Sequence, residues 1–162
     1  MDFMPLLDVI FVSIPEELLI TILGLMLLSI KIKKRLSVLL LVAVVQATIS
    51  YFIRMLPLPF GIHTLIQLPL FALTATLLLH LPFLLSLTSV LVSGTIYTVI
   101  DATFAPNMLK ITGIPLQQVL EHAWLRIIFF SPQALAMVLI ILLVHLSRFK
   151  LLDMSKYDFT KA

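Results

Sequence analysis

The side chains of this sequence that have binding chemistry fall mainly on four helical faces. Ser86, Ser89, Ser93, Tyr97 and Asp101 follow one another at steps of 3, 4, 4 and 4, the spacing of one side of an α-helix. Gln46, Ser50 and Arg54 form a second face, His63, Gln67 and Thr74 a third, and His122, Arg126 and Gln133 a fourth. Each becomes more polar towards the same end, where Arg54, His63, Asp101, Glu121, His122 and Arg126 would lie at similar depth, with Glu16 and Glu17 beside them. Together they offer carboxylates, guanidinium groups, an imidazole and an amide to a small or amphipathic ligand. The candidate binding residues are Arg54, His63, Gln67, Tyr97, Asp101 and Arg126. A plainer reading uses the same residues: Arg54 and Asp101 as an interhelical ion pair, and the hydroxyl residues as packing and hydrogen-bonding contacts between helices.

Other chemistry finds less support. There is no Gly-rich phosphate loop and no serine nucleophile elbow, and Asp101 or Glu121 would have no nucleophile to activate, so the chain is read as non-catalytic. Cysteine is absent, which removes disulfides, thiolate ligands and cysteine nucleophiles. His63, His80, His122 and His145 have no histidine partner at i+3 or i+4, so no metal site is expected; the one available grouping is His63 and His122 with Asp101 or Glu121. No cofactor is implied.

These residues are set in long apolar rows. Hydrophobic residues make up 61% of the 162 and charged residues 12%, about half the charged share of an ordinary soluble domain. Mean hydropathy is +1.18, and the stretch 36–53 has no ionisable residue. The rows are continuous and Leu-rich rather than alternating, which selects helices over a barrel. The expected fold is an all-α integral membrane protein, a single domain over 1–162 built as a bundle of about five transmembrane helices. Residues 1–12 are too short to span and read as interfacial or re-entrant. Ser13, Pro15 and Glu16 match a capping box that starts the first helix, over 14–30. The remaining spans are expected at 36–53, 62–79, 83–100 and 125–146, the last with a possible kink at Pro132. Pro57 and Pro59 mark one turn, and His80-Leu81-Pro82 another. The mixed stretch 101–124 is the longest loop, in which Pro115 opens a short interfacial helix, and 147–162 is a polar tail.

The formal charge of +3 suggests no nucleic acid, because the bases flank the apolar rows and act as topology signals. Lys31, Lys33, Lys34, Arg35, Arg148, Lys150, Lys156 and Lys161 fall on one side of the five spans, against Arg54, Lys110 and Arg126 on the other. That bias puts the N-terminus outside and the C-terminus in the cytoplasm of a multi-pass protein of the cell membrane. Acidic residues without bases before Leu18 argue against a cleaved leader. The tail is placed to meet anionic lipid or to dock a cytoplasmic partner. Ala43 with Ala47, Ala72 with Thr76, and Ser89 with Ser93 have the spacing that lets membrane helices approach closely.

Residues 51–64 (YFIRMLPLPFGIHT), with Leu109 to Pro115 and Trp124-Leu125-Arg126, resemble the polytopic N-terminal sensor regions of Gram-positive histidine kinases of the accessory gene regulator type. Such kinases continue into a dimerisation helix and an ATP-binding domain, which this sequence lacks. The resemblance therefore implies a sensory or accessory membrane module that signals through another membrane or cytoplasmic protein. Two other functions fit the same rows. One is the substrate-binding component of a small-molecule transporter, similar to those of the energy-coupling-factor type, with Ala43 and Ala47 on the partner-facing side. The other is a structural subunit of a membrane complex, which needs no pocket.

Overall fold

The computed structural model describes residues 6–30, 36–56 and 62–154. The basic cluster 31–35, the proline turn 57–61 and the tail from 155 onward, on which part of the topology reading rests, lie outside the described residues, as do residues 1–5. Among the described residues every regular element is a helix. In chain order they are α1 (Leu6–Asp8), a π-helical turn (Val9–Ser13), α2 (Ile14–Leu27), α3 (Leu36–Arg54), α4 (Ile62–Leu79), α5 (Phe83–Thr112), α6 (Leu116–Glu121) and α7 (Ala123–Ser147). Four stretches are long and apolar enough to cross a membrane: Val9–Leu27, Leu36–Arg54, Phe83–Thr112 and Ala123–Ser147. A shorter apolar helix, Leu65–Leu79, lies within α4. These lengths fit a multi-pass membrane protein, as do the outward-facing Leu84, Leu139, Leu143 and Leu146, which are exposed in the isolated chain.

Two elements depart from the sequence expectation. The capping box at Ser13 does not form: Ser13 is buried, has helical dihedrals and makes no side-chain cap bond. Helix continues through it from Leu6, so the stretch read as a separate interfacial segment belongs to the first helix from that residue onward. The physical reason is Pro15, which has no amide to donate to the preceding turn. The ladder widens just before it, and the Ile14 amide reaches back five residues to the Val9 carbonyl.

The second departure is larger. The expected outer loop 101–124 is mostly helical, because α5 continues past Asp101 to Thr112. Its 30 residues extend about 45 Å, well beyond a hydrocarbon core of about 30 Å. Met108, Leu109 and Ile114 hold that extension by packing on a second apolar cluster of Val119, Leu125 and Phe129, contributed by α6 and α7. Gly113, in the left-handed conformation at φ +66°, ends the helix by donating to the Leu109 carbonyl. Pro115 does open a short helix, α6, and only His122 separates it from α7.

The His80 turn behaves as expected. His80 takes a positive φ at the end of α4, and the Pro82 carbonyl receives the Leu85 and Ser86 amides as α5 begins. Pro69, Pro106 and Pro132 all sit inside helices, as membrane helices tolerate.

α2 is the centre of the bundle, packed against α3, α5 and α7, while α4 packs on α3 and α5. Leu23, Leu39, Val42 and Met137 fill the middle. Gly24 brings α2 so close to α5 that a Cβ there would stand 2.7 Å from the Ser89 carbonyl oxygen.

Candidate functional site

The six residues singled out by sequence separate into three groups. Tyr97, Asp101 and Arg54 join one polar cluster. Gln67 belongs to a contact between α3 and α4, His63 lies half-buried in the first turn of α4, and Arg126 is tied to the N-terminal helix.

The cluster draws on four helices. From α5, Asp101 Oδ1 accepts a hydrogen bond at 2.8 Å from Gln133 Nε2 of α7. The Tyr97 hydroxyl donates to Gln133 Oε1 at 3.4 Å, and Glu16 of α2 stands close enough to Tyr97 to interact with it electrostatically. Arg54, at the last position of α3, attracts both Glu16 and Glu17, while the Asp101 charge opposes that of Glu16. Two glutamates of α2 therefore face one guanidinium, with Asp101 near Glu16. Gln133 is buried; Glu16, Glu17, Tyr97 and Asp101 are half-buried; Arg54 is exposed at the rim. The result, among the described residues, is a negatively biased polar cluster between α2, α3 and α5, with Gln133 of α7 on one side. The Asp101 partner expected from the sequence, Arg54, is not its hydrogen-bond partner: Gln133 takes that place, and Arg54 turns to the glutamates of α2.

A second polar layer lies nearer the α6 end. Arg126 Nη1 donates to Asp8 Oδ2 at 2.8 Å, and its Nη2 donates to the Leu120 carbonyl. The Asp8 side chain is only 1% exposed. Burial raises its carboxyl above the ordinary aspartate range, while the charge and hydrogen bond of Arg126 pull in the opposite direction. Arg126 precedes Gln133 by seven positions on α7, which puts the two layers about 10 Å apart along the helix. Arg126 is thus a clamp on the first helix, away from the cleft.

Further along the bundle the polar groups pair between neighbours. Gln67 Nε2 donates to Ser50 Oγ at 2.6 Å, and Thr74 Oγ1 lies 3.4 Å from Gln46 Oε1. Ser89 and Ser93 face Gly24, and the Ser93 hydroxyl returns to the Ser89 carbonyl of its own helix at 2.7 Å. Ser86 is buried with no hydrogen-bond partner for its hydroxyl.

Two participants stand outside the sequence-derived set. Gln133 was placed on a polar face but not in the site; its amide can serve a donor and an acceptor at once, the property that lets it bridge Asp101 and Tyr97. Asp8 gave no signal, because 118 positions separate it from Arg126 and no local spacing relates them. No family model matches the sequence, and no curated protein or solved structure matches it.

Proposed function

We propose that this protein is a non-catalytic sensory or regulatory module of the cell membrane, crossing it five times with the N-terminus outside, and that the cleft of Glu16, Glu17, Arg54, Tyr97 and Asp101 receives its ligand. The carrying observation is that these ionisable side chains, from three helices, converge in one place inside the bundle, half-buried, with Arg54 exposed at the edge. Ionisable groups at membrane depth are costly and usually face a cavity or one another. A purely structural ion-pair network would gain from sealing and balancing its charges. Among the described residues this cluster holds three carboxylates to one guanidinium.

The excess of carboxylates favours a small or amphipathic ligand with a cationic or donor-rich head, held against Glu16, Glu17 and Asp101, with its apolar part between the helices. A second membrane or cytoplasmic protein would then carry the signal onward. The test is native mass spectrometry of the protein purified in mild detergent. The expected result is a co-purifying small molecule that disappears in Glu16→Gln and Asp101→Ala while helicity and melting temperature are retained. Loss of helicity or thermal stability in those variants, with no ligand in the parent, would assign the cluster to folding instead.

A further inference from the structure

The buried hydroxyls of Thr21, Thr74 and Ser93 each donate to a carbonyl four residues back in their own helix. Four uncharged side chains among the described residues do not follow them. The hydroxyls of Ser29, Thr76 and Ser86 and the Nε2 of Gln46 are buried with no hydrogen-bond partner. Each comes from a different member of one ring of helices, in which α2 and α4 both pack on α3 and on α5. Gln46 belongs to α3, Thr76 to α4 and Ser86 to α5, and Ser29 stands two positions past the end of α2. Their levels also agree. Glu16 stands beside Tyr97 and Gly24 faces Ser89 and Ser93, so α2 and α5 run in opposite directions and Ser29 falls level with Ser86. Gly94 faces Leu68 across the hairpin of α4 and α5, which brings Thr76 to the same level. The Gln46 side chain ends beside Thr74, two positions from Thr76. All four therefore lie within about one helical turn of a common level.

We propose that Ser29, Gln46, Thr76 and Ser86 line an internal water site in this ring, at the end of the bundle away from the charged cluster. Gln46 and Ser86 are the best shielded of the four, at 0% and 1% exposure. Ser86 precedes by one turn Val90, which packs in the core cluster with Leu39 of α3 and Phe71 of α4. Buried polar groups that give up solvent and gain no partner cost stability outright, and four of them would take a large share of a margin that is small in any protein. An occupant that both donates and accepts removes that cost. Water suits groups so placed, since an internal water makes about three hydrogen bonds to polar atoms that the fold leaves unsatisfied. A cation suits them less. The four side chains carry no charge, and the Asp101 carboxylate is 15 positions from Ser86 on α5, about 22 Å along the helix, too far to offset the desolvation of an ion. Such water would serve the bundle whether or not the charged cluster binds a ligand.

Water-detected solid-state NMR of the full-length protein in lipid bilayers tests the site, read at the Gln46 side-chain amide. Polarisation should pass from water to that amide in the parent, fall about twofold or more in Ser86→Ala and in Thr76→Val, and be lost in the double variant. Each change deletes one hydroxyl that has no partner in the protein, so the bonds removed are those of the occupant. For the same reason each single variant should melt about 2 °C or more below the parent. No transfer in the parent overturns the site, as does unchanged transfer in the double variant. Melting temperatures at or above the parental value in both single variants overturn it too, because removing a truly unpaired polar group costs nothing. Replacing sodium by choline in the buffer should leave the parent unchanged; a fall in its melting temperature would overturn water in favour of a cation.

Discussion

Gln133 donates its side-chain amide to the Asp101 carboxylate at 2.8 Å while presenting its carbonyl oxygen to the Tyr97 hydroxyl at 3.4 Å. One buried amide on α7 thus bonds two residues that lie one helical turn apart on α5. It keeps the Asp101 carboxyl supplied with a donor and takes the single proton of the Tyr97 hydroxyl. The cluster is therefore buried on one side and exposed on the other: Gln133 is buried, whereas Arg54 is exposed at the end of its helix.

Replacing Gln133 by Leu keeps the volume and removes both hydrogen bonds. The Asp101 carboxylate then loses its donor, a change that costs about 1–3 kcal/mol for a buried group and less for one half-exposed. Gln133→Leu should lower the melting temperature in detergent, and adding Asp101→Asn should cost less than the sum of the two single changes. Thermal unfolding of the four proteins, followed by circular dichroism, checks this; strictly additive losses would mean that the contact carries no energy.

Arg126 offers a sharper contrast, because its partner Asp8 is fully buried. Arg126→Ala leaves that carboxylate without its counter-charge, a loss of about 3–5 kcal/mol for buried pairs. Acid should soften the defect. Burial already raises the Asp8 carboxyl, so the folded protein holds a proton there more tightly than the unfolded chain does. Above the ordinary aspartate value, stability from this group falls as pH rises and recovers as pH falls. The gap in melting temperature between parent and Arg126→Ala should narrow from pH 8 to pH 5 and nearly vanish in the Asp8→Asn background. A gap independent of pH would place the Arg126 contribution in its bond to Leu120.

How far these features were legible depended on whether their cause was local. The helix α4 and the turn at His80 followed from apolar runs and Pro82, signals contained within a few residues. The extension of α5 did not, since Pro106, Asn107 and Lys110 read as loop, and only the packing of Met108 and Leu109 on Phe129 and Val119 makes that stretch helical. At Ser13 the local signal misled: the capping-box pattern is present, but the helix begins earlier and Ser13 itself has helical dihedrals. Helical spacing found Tyr97 and Asp101 because they share one face. A distant pairing such as Asp8 with Arg126 has no expression in spacing at all.

The proposed five-span arrangement makes a topological prediction that a cysteine-free parent allows to be read cleanly. Single cysteines at Ser37, His80, Gln117 and Lys150 all fall at exposed positions. A membrane-impermeant maleimide should label Gln117→Cys in intact cells, and the other three only after permeabilisation. Labelling of His80→Cys in intact cells while Ser37→Cys stays protected would show that α4, the shortest apolar helix, does not cross. Labelling of Ser37→Cys and Lys150→Cys in intact cells would reverse the orientation.

The close approach of α2 to α5 gives the most demanding steric prediction. A Cβ on Gly24 would lie 2.3 Å from Ser89 Oγ, 2.7 Å from the Ser89 carbonyl oxygen and 2.9 Å from Ser93 Oγ. A serine hydroxyl can rotate away, but a backbone carbonyl moves only with its helix. Gly24→Ala should therefore force α2 away from α5, with a cost of about 1–3 kcal/mol typical of overpacking. Removing the hydroxyls with Ser89→Ala should recover little of it. Gly94 supplies the control on the same bundle, since a Cβ there would meet only Leu68 Cδ2 at 3.7 Å, an ordinary contact. Gly94→Ala should match or exceed the parent in thermal stability, because alanine favours helix. Equal melting temperatures for the two alanine variants would refute the tight contact, whereas a deficit confined to Gly24→Ala would place the α2–α5 seam beside the cleft among the least yielding parts of the protein.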